Sequence, residues 1–393
     1  PTLWEAYQNS GVTRVCSDSS EEVDLGEDPI EFYTDTIRQS WANDYNDVAF
    51  IVLSRESAEG IDFFMKDGEG ISQLALHKNE RDMIEMVTQS GKFGKVVVLL
   101  NTPTPIELDW LEEYDIDACL WIGYPGQWGA QGVADILTGA VNPSGRTVDT
   151  YAADSLSSPA VVNSGTNTPR FSNGDEVANA LGTRYFTGDY ATVQVEGIYV
   201  GYRYYETRYE DAILGKGNAT SSAGASFGTS WNYADEVTYP FGYGLSYTTY
   251  IYNLKNVVEN DDGTMSVTVT VTNTGEVAGK TAVEIYAQTP YGDYERENKV
   301  EKSAIQLVAF DKTDVIEPQA AVDITIPVDK YLLASYDYTN AKGYILSEGD
   351  YYLAVGEDAH DALNNVLSAK NASGLVDAFG NAVEGDSGNV FSW

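Results

Sequence analysis

The chain has 393 residues, 43% hydrophobic and 12% aromatic, which suits two or three domains with their own cores and excludes a disordered polymer. A formal net charge of −37 repels phosphate backbones and anionic membrane surfaces, so no nucleic acid and no membrane is expected as a partner, and a neutral or cationic ligand is favoured. Two cysteines (Cys16, Cys119) and two histidines (His77, His360) are too few for a disulfide framework, a clustered metal site or a serine–histidine triad.

Taken in chain order, 48–53 (VAFIVL) is a short, β-branched apolar run that predicts a buried strand. Leu76, Met83, Ile84, Met86 and Val87 recur at helical spacing, predicting a helix from Leu76 to Ser90 that Gly91 ends. Residues 96–100 give a second buried strand, Ile106 to Tyr114 a short acidic helix, 118–122 a third strand, and Gly132 to Thr138 another helix. Cys119, inside the apolar run from Ile116 to Ile122, reads as a buried thiol. Strands apolar on both faces, alternating with helices, predict a mostly parallel sheet covered on two sides.

Beyond residue 151 the composition turns to Ser, Thr, Asn and Gly, with a tyrosine-dense island from Val195 to Tyr209. Read as a strand, that island puts about half of Tyr199, Tyr202, Tyr204 and Tyr205 into the core by alternation. From 248 the period becomes two. Met265 to Thr272 alternates cleanly, Asn273-Thr274-Gly275 turns the chain, and further short strands follow at 281–288, 304–310, 321–327 and 351–355. That pattern predicts an antiparallel β-sandwich of immunoglobulin-like size. A helix at 362–369 precedes a glycine-rich tail that reads as a linker. The fold class expected is α/β followed by all-β. The expected domains are 1–160, a loop-rich extension at 161–247 completing the α/β domain, the sandwich at 248–358, and helix plus linker at 359–393.

The loop after the first strand, 54–62 (SRESAEGID), is the best place for chemistry, because carboxyl ends of strands line the ligand crevice of open α/β sheets. Glu56, Glu59 and Asp62 all qualify by residue type as a proton donor to a glycosidic oxygen, with Glu59 preferred because Gly60 follows it. On spacing alone each is more often a solvated loop charge than a catalytic group. The run 123–129 (GYPGQWG) follows the third strand but lacks the glycine spacing and the lysine of nucleotide-binding loops, so it reads as a tight strand-to-helix turn.

Several motifs, in order, resemble the second domain of glycoside hydrolase family 3. They are Glu59-Gly60 in its serine-bearing loop, KVVVLLNTPTP (95–105), WIGYPGQWGAQGVADILTGAVNPSGR (121–146), EGIYVGYRYY (196–205) and YPFGYGLSY (239–247), leading into a fibronectin type III-like sandwich that contains VTNTG (271–275). The resemblance implies that Glu59, in Ser57-Ala58-Glu59-Gly60, is the general acid/base of a retaining β-glucosidase-type enzyme. The aspartate nucleophile would come from a barrel domain on another chain or on sequence outside this one. It also points to Ser57, Asp62 and Tyr202 as substrate-binding residues, to a β-linked oligosaccharide or aryl glucoside as substrate, to no cofactor and no metal, and to a possible homo-oligomer. Two positions depart from the family pattern: Ala58 stands for the usual glycine, and Phe63 for a common arginine. Pro1 opens the chain without an initiator methionine, and the expectation is that a first strand lies upstream and that compartment stays open. Two other readings follow from the same residues: a non-catalytic carbohydrate-binding or assembly module, or the same family acting on β-xylosides or arabinosides.

Overall fold

The structure is a computed structural model and describes residues 27–57, 59, 63, 72–162, 196–216 and 231–393. The chain divides into two compact units, one built on residues 1–138 with 152–157 and 161–194, the other on 139–151, 158–160 and 195–393. Among the described residues, 196–216 and 231–247 group with the second unit in this division.

Among the described residues the first unit holds three parallel strands in chain order, β1 (Val48–Ser54), β2 (Lys95–Asn101) and β3 (Ala118–Trp121), with Ile51 paired to Val98, Val98 to Cys119 and Leu99 to Leu120. The β-branched run of β1 favours extended backbone, and its odd-numbered residues Ile51 and Leu53 sit beside Val98 and Leu100, all at most 3% exposed. Each such side chain contributes about 1.5–3 kcal/mol by leaving water. Helix α1 spans Asp35–Asp44, and helix α2 (Lys78–Gln89) packs near β1 and buries Met83, Ile84 and Val87. The helix begins two residues later than the predicted Leu76 because His77 caps it: the backbone N–H of His77 donates to Glu80 Oε2 at 3.0 Å. The opposite sheet face packs Val97 and Leu99 against Val133 and Leu137 of helix α3 (Gly126–Leu137). That helix starts six residues earlier than predicted, since Gly126 and Gly129 are part of it rather than of the preceding turn. A Cβ on Gly129 would meet Cβ of Pro125 at 2.7 Å, so glycine is what lets the first helical turn close on the proline. The acidic segment after β2 shortens to a 3₁₀ turn, Asp109–Glu112, around the buried Trp110. Cys119 is exposed rather than buried, because β3 is the edge strand among the described residues.

The second unit carries the sandwich. One sheet orders β8 (Ala321–Asp329), β5 (Thr264–Asn273) and β4 (Tyr250–Glu259). The other orders β10 (Val390–Ser392), β9 (Tyr352–Val355), β6 (Ala282–Gln288) and β7 (Gln306–Lys312), all antiparallel. Strand β5 alternates half-buried and buried without a break, and Val267, Val269 and Val271 are fully buried against Val283, Ile285, Leu353 and Val355. Asn273 does more than turn the chain. Its amide nitrogen donates to the carbonyls of Val277 and Ile316 at 2.9 Å, and its oxygen accepts from Thr248 Oγ1 at 2.6 Å and Gly275 N–H at 3.1 Å.

Two expectations fail here. The tyrosine island is helical: α4 runs from Tyr202 to Leu214 between Gly201 and Gly215, both at positive φ. Tyr204, Tyr205, Glu206, Tyr209 and Glu210 are all buried, so the helix shows no polar stripe to betray its period. The glycine-rich tail is also no linker. After helix α5 (Ala359–Ala369), Val376 bridges to Ala382 and β10 closes the edge of the sheet on β9. Its glycines serve turns: Gly385 has φ +65, and a Cβ there would lie 2.4 Å from the Asn364 carbonyl oxygen.

Candidate active site

The loop that leaves the carboxyl end of β1 is bound down at its base. Arg55 is 1% exposed, and its guanidinium donates five hydrogen bonds: Nε to the Gln73 carbonyl at 2.6 Å, one terminal nitrogen to the Ser54 carbonyl at 2.8 Å and Glu80 Oε1 at 2.6 Å, the other to the Ala75 carbonyl and Glu80 Oε2, both at 2.9 Å. Five donors meet five acceptors, which is the full capacity of the group. A forked arginine–carboxylate pair of this kind is geometrically specific as well as strong. It joins the point where the loop departs, residue 55, to the segment where it returns, residues 73–75, and to the first turn of α2. The cation–carboxylate pair spans 25 residues, a partnership that spacing in the sequence does not show.

Above that base the strand ends are cross-linked. Ser54 Oγ donates to Asn101 Oδ1 at 3.3 Å, and the Asn101 amide donates to the Gly123 carbonyl, tying the ends of β1 and β2 to the turn after β3. Tyr124, in that turn, donates its hydroxyl to the Arg55 carbonyl at 2.8 Å and accepts from Ser57 N–H at 3.4 Å. Trp121 Nε1 donates to the Thr102 carbonyl at 2.9 Å.

Of the residues that the sequence nominates, Glu59 lies on this loop in a turn with its side chain exposed, Glu56 is exposed beside it, and Ser57 is half-buried. Asp62, Ala58 and Gly60 lie outside the described residues, and Phe63 is half-buried. Tyr202 belongs to the second unit. Its ring packs 4.5 Å from that of Phe241 and its hydroxyl accepts from Leu307 N–H at 3.0 Å, which gives it a place in the packing of α4 on the sandwich. The residues that sequence reasoning did not single out are Arg55, Glu80 and Tyr124. An arginine closing an apolar strand calls for a buried carboxylate, and that was the available signal. A cleft of about 590 Å³ in the same unit is lined by Arg38, Trp41, Asp82, Met86, Gln89 and Lys92 among others, and none of the nominated residues borders it.

The second unit holds a different cluster. His360 Nδ1 lies 2.8 Å from Glu206 Oε2, its Nε2 is 3.0 Å from the Val376 carbonyl, and the Tyr233 ring stacks on the imidazole at 3.8 Å while its hydroxyl donates to Glu206 Oε1. Burial works against a charged imidazole, but Glu206 and Asp358 raise His360 above its usual 6.5. Burial also pushes Asp358, the N-cap of α5, up to about 7. Glu206, Tyr233 and His360 are each at most 1% exposed. The described residues contain no group of three or more metal-ligating side chains.

The family model described as the glycosyl hydrolase family 3 C-terminal domain matches residues 33–247, and a fibronectin type III-like model matches 281–359. The chain therefore belongs to glycoside hydrolase family 3. It is 29% identical to a β-glucosidase of Ruminococcus albus over 82% of this chain and 28% of that protein, and 29% identical to β-glucosidase A of Butyrivibrio fibrisolvens over 81% and 36%. Among solved structures, β-glucosidase 3B of Thermotoga neapolitana superposes with a TM-score of 0.63 at 28% identity, over 91% of this chain and 42% of that one. A β-glucosidase of Paenibacillus barengoltzii gives 0.64 at 27%, over 91% and 33%. The chain thus spans about a third of the length of the curated relatives it matches.

Proposed function

We propose that this chain is the acid/base-bearing part of a retaining β-glucosidase, with Glu59 the proton donor and then the general base. The observation that carries the reading is the position of Glu59: exposed, on a turn anchored by Arg55, at the carboxyl edge of a parallel sheet in a family 3 chain. In this reading a carboxylate from the remainder of the enzyme attacks the anomeric carbon from the face opposite the scissile oxygen. Glu59 gives its proton to that oxygen as the aglycone leaves. The resulting carboxylate then takes a proton from water, which attacks the glycosyl–enzyme ester and releases the sugar with its configuration retained. Acid/base work needs a carboxyl shielded from bulk water or set beside another carboxylate, and the sequence completing the enzyme supplies that enclosure. A β-linked glucoside is the favoured substrate because the relatives share that specificity in their names. The net charge of −37 suits a neutral sugar.

The test is Glu59→Gln in the intact enzyme. Turnover of an alkyl β-glucoside is expected to fall by about 10²–10⁴-fold, while a dinitrophenyl β-glucoside, whose aglycone needs no proton to leave, keeps its glycosylation rate. Azide is expected to accelerate the dinitrophenyl reaction of Glu59→Ala by replacing the water that no longer has a base. Equal, small losses on both substrates remove Glu59 from the role.

A further inference from the structure

Resting on the reading of Glu59 as acid/base, we infer that Tyr124 is a positioning residue that sets the height and orientation of the Glu59 turn over the sheet. Arg55 fixes where the loop leaves and returns, but all five of its donors are spent on residues 54, 73, 75 and 80, so none is left to bond residues 56–59 directly. The next restraint comes from the neighbouring strand. The Tyr124 phenol sits between two backbone groups that flank Glu56, donating to the Arg55 carbonyl at 2.8 Å and accepting from Ser57 N–H at 3.4 Å. Ser57 is two residues from Glu59, so a phenol seated there limits how far the turn can swing.

The mount of the phenol is rigid. Tyr124 and Pro125 lie between Gly123 (φ +54) and Gly126 (φ +62), whose left-handed backbone folds the turn tightly. Asn101 holds the Gly123 carbonyl from the end of β2, and Gly129 lets the first turn of α3 close on Pro125. A half-exposed tyrosine (53%) serving only to pack would have no need of both bonds to one loop. With them, β3 and its turn hold the proton donor to the sheet, and displacements of about 1 Å at such a donor carry large penalties in rate.

Tyr124→Phe removes the hydroxyl and keeps the ring. In the intact enzyme, kcat for an alkyl β-glucoside is expected to drop about tenfold with KM little changed, while kcat/KM for the dinitrophenyl glucoside, which reports glycosylation alone, changes less than about twofold. Amide hydrogen exchange at residues 55–59 is expected to speed up about tenfold, with residues 48–53 of β1 unaffected. Unaltered exchange at 55–59 overturns the inference, and so does an equal loss on both substrates. Failure of the Glu59 reading shows itself separately, as absent leaving-group selectivity in Glu59→Gln, and leaves the exchange result to decide whether Tyr124 holds the turn.

Discussion

The two units each bury an ion pair, and they use it in opposite ways. In the first, Arg55 and Glu80 lie enclosed beneath a turn whose own carboxylate, Glu59, is exposed. In the second, Glu206 and His360 are enclosed together with Tyr233, and nothing protrudes from them toward solvent. Each carboxylate oxygen of both pairs already accepts a hydrogen bond and both pairs are buried, so neither is open to a substrate. The lesson is that a cluster of titratable groups marks chemistry only where one of them is left untied. By that measure the paired carboxylates are scaffold, and the exposed glutamate held over one of them is the candidate for reaction.

The sharpest way to break this comparison is to remove one partner of the first pair. Arg55→Met leaves Glu80 buried without a counter-charge and is expected to cost the first unit about 3–5 kcal/mol, measured by denaturant unfolding. Arg55→Met with Glu80→Met recovers most of that loss, since an apolar pair of similar volume fills the site. The double variant is also expected to keep weak activity if the loop base serves to anchor the turn. A single variant with wild-type stability shows that the pair is not the anchor.

Glu206→Gln probes the second pair, with an expected loss of about 3 kcal/mol at pH 6. Its pH dependence is the better discriminator. His360 keeps a proton in the folded state that the unfolded imidazole releases near 6.5, and Asp358, held up to about 7, keeps one that an unfolded aspartate releases near 3.8. Both raised groups therefore contribute fully below their unfolded values, and the contribution is lost as pH rises through the folded ones. At the acid end the sign reverses. Asp337, whose carboxylate accepts from the backbone N–H groups of Thr339, Asn340 and Ala341, is held at about 2, so its contribution is lost as pH falls below 3.8. Thermal midpoints of the chain are expected to be higher at pH 6 than at pH 8, and the slope between those values to flatten in Glu206→Gln. A midpoint that rises steadily toward pH 8 contradicts the assignment of His360 and Asp358.

What the sequence discloses follows how each element is buried. Strand β5 was legible because one face is solvated and alternation survives; β1 and β2 were legible as unbroken apolar runs between turns. Helix α4 was not, because Tyr204, Glu206 and Tyr209 are buried all round it, and tyrosine favours strands when read alone. The tail misled because a glycine at positive φ in a tight turn, such as Gly385, has the same letter as a glycine in a linker. At the site, residue type left Glu56, Glu59 and Asp62 open, and family motifs chose Glu59. The supports of the turn are tertiary pairings, Arg55 with Glu80 and Tyr124 with the backbone of 55 and 57, and they exist only once three strand ends are brought side by side.

The smallest expected effect tests whether those supports extend into α3. Gly129→Ala adds one methyl group that would sit 2.7 Å from Cβ of Pro125, and a proline ring has no rotamer by which to retreat. Two terms oppose each other. Alanine in a helix favours folding by about 1 kcal/mol over glycine, while overpacking against a stiff neighbour costs about 1–3 kcal/mol. The net expectation is a loss of about 1 kcal/mol, relieved in part by Pro125 moving away from the helix. Because Tyr124 precedes that proline directly, its phenol moves too, so the alkyl glucoside rate is expected to fall more than twofold even where the stability loss is slight. A stabilised variant with full activity would show that Pro125 yields freely and that the turn after β3 carries no information to the Glu59 loop.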